Sequence, residues 1–212
     1  MPVGKTTKMG VWENNEFIGA IIFGLGGGAA CNGRRYGLKR NFEIVELQRI
    51  ALQQHRTSVS RIVAIALKML KSLSPGLRLV VSYADTAQGH LGNIYQAGNW
   101  IYIGQTAKDW YALGPDGRKY HSRIAHTHVQ FGIRKTVNVS KMPRIETPPK
   151  HRYLMPLDNE IRHHILSLAK PYPKRATSET VDTSVHQTEE RGSTPTVALQ
   201  PKLSNSPYIP LT

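Results

Sequence analysis

The densest run of residues able to move protons or hold a ligand is Ser82–Gly104, SYADTAQGHLGNIYQAGNWIYIG. It brings together a carboxylate (Asp85), an imidazole (His90) and a phenol (Tyr95), with Asn99, Trp100 and Tyr102 close behind. Such groups accept and donate protons in general acid–base chemistry. The run follows Leu77–Tyr83, LRLVVSY, which is β-branched and apolar on both faces, as an interior strand is. Ligands in helix-covered sheets bind beyond the carboxyl ends of the strands, so a polar loop there is a natural site. A plainer reading has Asp85 capping a turn that the glycines fold, Tyr95 tethered in the core, and Trp100 simply buried.

Other chemistry-bearing residues are more scattered. Gly24–Gly37, GLGGGAACNGRRYG, can turn backbone N–H groups toward a ligand or serve as a flexible loop. Arg34 and Arg35 tilt it toward phosphate. Cys31 is the single cysteine, which excludes an internal disulfide and a four-thiolate zinc site and suits a reducing compartment. His126 and His128 alternate, and His163 and His164 are adjacent, but no carboxylate at fixed spacing completes a metal set. The metal question stays open on these residues.

The formal charge of +14 points to a polyanionic partner, because Lys and Arg on a phosphate lattice release counterions. RNA, membranes and ribosomes attract the same charge. Arg34, Arg35, Arg61 and Lys68 are the candidate phosphate contacts. Met1–Met9 lacks a signal-peptide run, and no apolar stretch is long enough to span a membrane. A soluble cytoplasmic protein is expected.

The elements that must position these residues can be read from periodicity. Phe17–Gly24 and Phe42–Leu52 read as strands, and Arg56–Leu73 as an amphipathic helix capped by Thr57 or Ser58 and stopped by Pro75–Gly76. Gly89–Ala97 reads as a short helix and Trp100–Gly104 as a strand. Trp110–Leu113 and Lys119–His121 flank GPDGR as a hairpin. A short strand begins at Arg152–Tyr153, and a helix runs from Asp158 to Ala169. This order suggests an α+β, or α/β-like, sandwich over residues 1–173. Lys174–Thr212 is rich in Ser, Thr, Pro and Gln and is expected to be a disordered tail.

Several blocks, in order, resemble the Mom family of phage DNA-modification proteins. They are ELQRIAL (46–52), SVSRIVA (58–64), the Tyr-Ala-Asp, Gly-His and Ile-Tyr-Gln-Ala elements of Ser82–Gly104, GRKYHSR (117–123), HRYLMPL (151–157) and PYPKR (171–175). The resemblance covers Phe17–Arg175. It implies a Gcn5-related acyltransferase-like fold, a mixed sheet flanked by helices. It also implies conversion of adenine in double-stranded DNA to N6-carbamoylmethyladenine, which shields phage DNA from restriction in the host cytoplasm. Asp85 and Tyr95 fall on the family's functional Asp and Tyr, and Ser60 on its helix-start Ser.

On that reading Asp85 is the base or amine-orienting acceptor, Tyr95 the proton donor, and Ser60 a holder of the donor group or oxyanion. Glu46, Arg49, Tyr83, His90 and Trp100 form the substrate side, with His121 of lower rank. A base flipped from the duplex would stack on Trp100, Tyr102 or Tyr83. The resemblance permits bound Fe(II) and a homodimer. One departure bears on the donor. Acyltransferases hold the coenzyme A pyrophosphate at a glycine-containing turn before the long helix. Here that turn is QQHRTSVSR, Gln53–Arg61, without glycine, so acetyl-coenzyme A is a doubtful donor and the true one is unknown. The competing readings are a coenzyme A-dependent N-acetyltransferase of a small-molecule or protein amine, and a DNA-binding protein without activity.

Overall fold

The two asparagines of WENNEF make the first turn of the sheet. In the computed structural model of the chain, which describes residues 6–26, 31–121, 139–174 and 197–202, they take left-handed φ angles of 50° and 66°. A two-residue turn with both φ positive matches the twist of an antiparallel pair. It joins β1 (Thr6–Glu13) to β2 (Glu16–Gly24). The sequence reading has no strand before Phe17, yet β1 buries Met9, Val11 and Glu13 at alternate positions. Gly19 lets β2 approach β3 (Ile44–Leu52), since a Cβ there would sit 2.0 Å from the Ala51 carbonyl oxygen.

From β3 the chain crosses through α1 (Val59–Leu73) to β4 (Leu79–Ala84), which runs parallel to β3. α2 (Asn93–Ala97) and β5 (Ile101–Gln105) follow. β6 (Asp109–Leu113), β7 (Lys119–His121) and β8 (Arg144–Thr147) form a separate three-stranded antiparallel sheet, the first two joined by the expected Asp-Gly turn. β9 (His151–Pro156) then returns to the main sheet between β4 and β5, and α3 (Asn159–Leu166) packs behind it. With β10 (Val197–Lys202) on the outer edge, the main sheet has the order β10-β1-β2-β3-β4-β9-β5. The architecture is mixed α+β, a sheet core with few helices.

Alternation along β4 divides the core between the two faces. Val80 joins Met9, Val11, Ile21, Phe23, Val45 and Leu47 under the apolar stripe of α1, namely Ile62, Val63, Ala66, Leu67 and Leu70. Leu79 and Val81 face the other way, onto Tyr36, Leu38, Ile44, Leu154 and the α3 residues Ile161 and Ile165. Each large apolar side chain withdrawn from water contributes about 2 kcal/mol, which is what holds α1 and α3 on the sheet. Asp158 caps α3 by accepting from the Ile161 N–H at 2.9 Å, and Arg78 forks onto the same carboxylate at 2.8 and 3.0 Å.

Several boundaries depart from the sequence reading. α1 begins at Val59 rather than Arg56, and its N-cap Ser58 makes no side-chain cap bond. The reason is tertiary: the Glu13 carboxylate takes the N–H groups of Arg56 and Thr57, each at 2.8 Å. α3 ends at Leu166, and α2 is preceded by a 3-10 turn, Thr86–Gln88. The expected disordered tail is corrected at Val197–Lys202, where β10 pairs antiparallel with β1 from Glu13↔Val197 to Lys8↔Lys202. An unpaired edge on β1 offers backbone donors and acceptors that an extended segment satisfies. The rest of the segment beyond Lys174 lies outside the described residues.

Candidate active site

The parallel pairing of β3 and β4 covers only three residue pairs and stops at Glu46↔Val81. Beyond it β3 bulges: Phe23 pairs with Leu47 but Ile22 with Arg49, so Gln48 is the extra residue. The two strands part there, and polar side chains fill the opening. Ser82 Oγ, fully buried, lies 2.9 Å from the Leu47 carbonyl oxygen and 2.8 Å from the Tyr95 hydroxyl. The carbonyl can only accept, so it takes the single Ser82 proton. The Tyr95 hydroxyl then donates to Ser82 Oγ. Gly92, at φ 79°, starts the short helix that brings Tyr95 in, and a Cβ there would collide with the Tyr153 ring. The Tyr95 ring packs on Trp100 and Tyr153 at 5.0 and 5.1 Å. Burial raises its pKa above the ordinary phenol value, and Glu46 pushes it further up. Tyr95 therefore keeps its proton at neutral pH.

Asp85 sits just past β4. Its Oδ1 accepts from the Ala87 N–H at 3.1 Å, and its Oδ2 is 3.3 Å from Lys150 Nζ. It is thus the cap that the plainer reading expects, and also a partly exposed carboxylate just past the strand. His90 is exposed and tied to Asp85 only through its backbone N–H.

A second polar group lies on the opposite face of β4. Tyr83 packs beneath the Arg152 guanidinium, 5.8 Å from its ring centre. Burial pushes the Tyr83 phenol well above its ordinary range. Arg152 pulls it down, while Tyr36, Glu46 and Cys31 add to the rise, so all five groups lie within electrostatic reach. Cys31 is buried and accepts from the Gly26 N–H at 3.2 Å; burial first, then Glu46, raises its thiol, so it stays protonated and unreactive. The Tyr36 hydroxyl and Arg152 Nε are both buried without a hydrogen-bond partner among the described residues. A buried donor left unmatched costs about 1–3 kcal/mol, so these two mark a place where a ligand acceptor would be welcome.

The sequence profile of the Mom protein family matches residues 1–174. The chain belongs to this family. It is also similar to the methylcarbamoylase Mom of Escherichia phage Mu, with 30% identity over 177 residues that cover 78% of this chain and 71% of that protein.

Within this family member, the residues singled out from sequence are not gathered in one place. Tyr95 meets Ser82, which sequence reasoning passed over, while Tyr83 lies under Arg152, also passed over, with Tyr36 and Glu46 within electrostatic reach. An arginine within the otherwise buried strand HRYLMP is the one signal that pointed there. Ser60 is the second residue of α1, 3.4 Å from Ser58 Oγ, with no hydrogen bond to Asp85 or Tyr95 among the described residues. Arg49 is exposed on β3. Trp100 is 1% exposed and packed on Tyr95, and Tyr102 is buried with its hydroxyl 2.9 Å from His151 Nδ1. Base stacking on either is therefore corrected; of the three aromatics only Tyr83 is partly open. Arg34 and Arg35 belong to a 3-10 turn on the α3 face, and Arg61 and Lys68 to α1 on the other, so the four exposed cations form no single patch. His126 and His128 lie outside the described residues. Among the described residues no three His, Cys, Asp or Glu side chains come together to hold a metal, and no helix is long and apolar enough to cross a membrane.

The head of α1 answers a separate question. The Glu13 carboxylate occupies the Arg56 and Thr57 N–H groups and is held below the ordinary carboxylate range, first by the Thr57 hydroxyl and then by those two N–H groups. An internal anion thus holds the turn that leads into α1.

Proposed function

We propose that the chain is a DNA-modifying transferase that converts adenine in double-stranded DNA to N6-carbamoylmethyladenine in the host cytoplasm. The observation that carries the reading is the family match over residues 1–174, together with the relation to a methylcarbamoylase. The seven-stranded mixed sheet, with one parallel pair bridged by the long helix, supports an acyltransferase-like platform.

Chemistry at the adenine amine requires a proton to leave N6 as the new N–C bond forms, the bond from the transferred carbon to the rest of the donor to break, and the charge that departs on that leaving group to be stabilised. Asp85, just past β4, accepts from or orients the amine. Tyr95 supplies a neutral hydroxyl whose direction is set by Ser82. On the opposite face of β4, Arg152 and Tyr36 carry unmatched donors and Tyr83 a partly open ring, a second place for an acceptor-bearing ligand. The turn before α1 lacks glycine and is held by the Glu13 carboxylate, which argues against the coenzyme A-dependent acetyltransferase, and calorimetry with acetyl-coenzyme A separates the two readings by showing no binding. The deciding experiment is mass spectrometry of nucleosides from bacteria that express the soluble protein. A deoxyadenosine carrying one carbamoylmethyl group is expected; DNA with only unmodified deoxyadenosine would refute the assignment.

A further inference from the structure

The small sheet β6–β7–β8 is inserted between β5 and β9, and its base is fastened beside Asp85. The Thr106 N–H donates to the Lys150 carbonyl at 2.9 Å, and the Lys150 N–H returns to Thr106 Oγ1 at 3.0 Å, closing the neck. The Thr86 hydroxyl donates to the Pro149 carbonyl at 2.6 Å, and Lys150 Nζ meets Asp85. The insertion is thus an arm rooted at the carboxyl end of β4.

Among the described residues, the cations of the arm include two kinds. Lys108 and Arg118 are neutralised by Glu146 and Asp116. Arg144 and Lys119 are not: both are exposed, and neither has a carboxylate partner among the described residues. Each instead lies over an aromatic ring of β6, Arg144 at 4.4 Å from Trp110 and Lys119 at 4.9 Å from Tyr111. A ring beneath a cation orients it without cancelling its charge. Register puts the two on opposite faces. Arg144 pairs with Ala112, so it shares a face with Trp110, whereas Lys119 pairs with Leu113 and shares a face with Tyr111.

We propose that this arm grips duplex DNA as a β-ribbon in a groove, with Arg144 and Lys119 contacting the phosphates of the two walls. Exposed cations on both faces suit a ribbon flanked by two backbones better than one laid flat on a single strand. The major groove admits a two-stranded β-ribbon such as the β6–β7 hairpin and displays the adenine N6 amine. The root beside Asp85 then carries the grip to the site of reaction. This rests on DNA being the substrate, and it assigns the grip to the arm rather than to Arg34, Arg35, Arg61 and Lys68.

The test is fluorescence anisotropy of the full chain with a duplex of mixed sequence across a salt series. Each phosphate contact contributes about 0.9 to the slope of log K against log salt. Arg144→Ala and Lys119→Ala should each flatten the slope by about that amount, and both together by about twice as much. Arg144→Lys keeps the charge and should restore the wild-type slope, which a merely folded-state effect would not produce. Arg61→Ala and Lys68→Ala should leave it unchanged. If the wild type binds but the arm variants keep its slope, the arm assignment falls and the DNA reading survives. If the wild type shows no salt-dependent affinity for duplex, the DNA reading itself falls.

Discussion

The direction of the hydroxyl chain at the strand opening makes Ser82 and Tyr95 unequal, and the inequality can be measured. In Ser82→Ala two buried groups lose their partner at once, the Leu47 carbonyl and the Tyr95 hydroxyl. An unmatched buried polar group costs about 1–3 kcal/mol, so the variant should lose about 3 kcal/mol. For a chain of this size that is a fall in Tm of about 6–12 °C. Tyr95→Phe removes only the outer hydroxyl. Ser82 keeps its bond to Leu47, and the loss is that of one ordinary hydrogen bond, about 1 kcal/mol, or about 2–4 °C. Both variants remove the positioned Tyr95 proton, so both should abolish adenine modification in nucleoside mass spectrometry even where the protein is fully folded. Thermal and urea unfolding of the two single variants and the double variant give the comparison. The double variant should cost little more than Ser82→Ala alone, because the orphaned phenol is gone. Tyr95→Phe proving as damaging as Ser82→Ala would refute the proton direction, and a folded, fully active Tyr95→Phe would remove Tyr95 from the chemistry.

Asp85→Asn retains the cap on the Ala87 N–H and loses the half-exposed pairing with Lys150, so stability should change by less than about 1 kcal/mol while modification disappears; a fully active variant would leave Asp85 as a folding element. The Asp158 carboxyl is lowered from 3.8 to about 2, chiefly by its hydrogen bonds from Arg78. A depressed folded-state value means stability present above 3.8 and lost as pH falls toward 2, so acid unfolding should weaken the α3 attachment in that window, and Asp158→Asn should lower stability at neutral pH but flatten the acid dependence. Ending the chain before Val197 removes β10 from the edge of β1 and should lower Tm or promote association, read by calorimetry with light scattering; an unchanged, monodisperse protein would show that β10 contributes nothing.

Much of the fold was legible because it rests on local patterns. The apolar stripe of α1, the interior character of β4 and the Asp-Gly turn of the β6–β7 hairpin are written within a few residues each. β1 was hidden because lysine, threonine and glycine interrupt its alternation, and its burial depends on neighbours far along the chain. Glu13 illustrates the same limit for the site: its partners Arg56 and Thr57 are more than forty residues away, and a lone glutamate gives no hint of them. Arg152 comes over Tyr83 only once β9 has returned beside β4. Trp100 was ambiguous for a different reason, since a large aromatic ring in a polar block looks the same whether it fills a core or faces a ligand.

The single thiol offers a way to watch the site without knowing the donor. Cys31 is buried, protonated and close to Tyr83 and Glu46, so an alkylating reagent can reach it only when that region opens. Its labelling rate is therefore a clock on local opening, and the chain has no second cysteine to blur the reading. Any small molecule that seats against Arg152 and Tyr36 should slow the clock, which turns the search for the unknown donor into a screen by reaction rate.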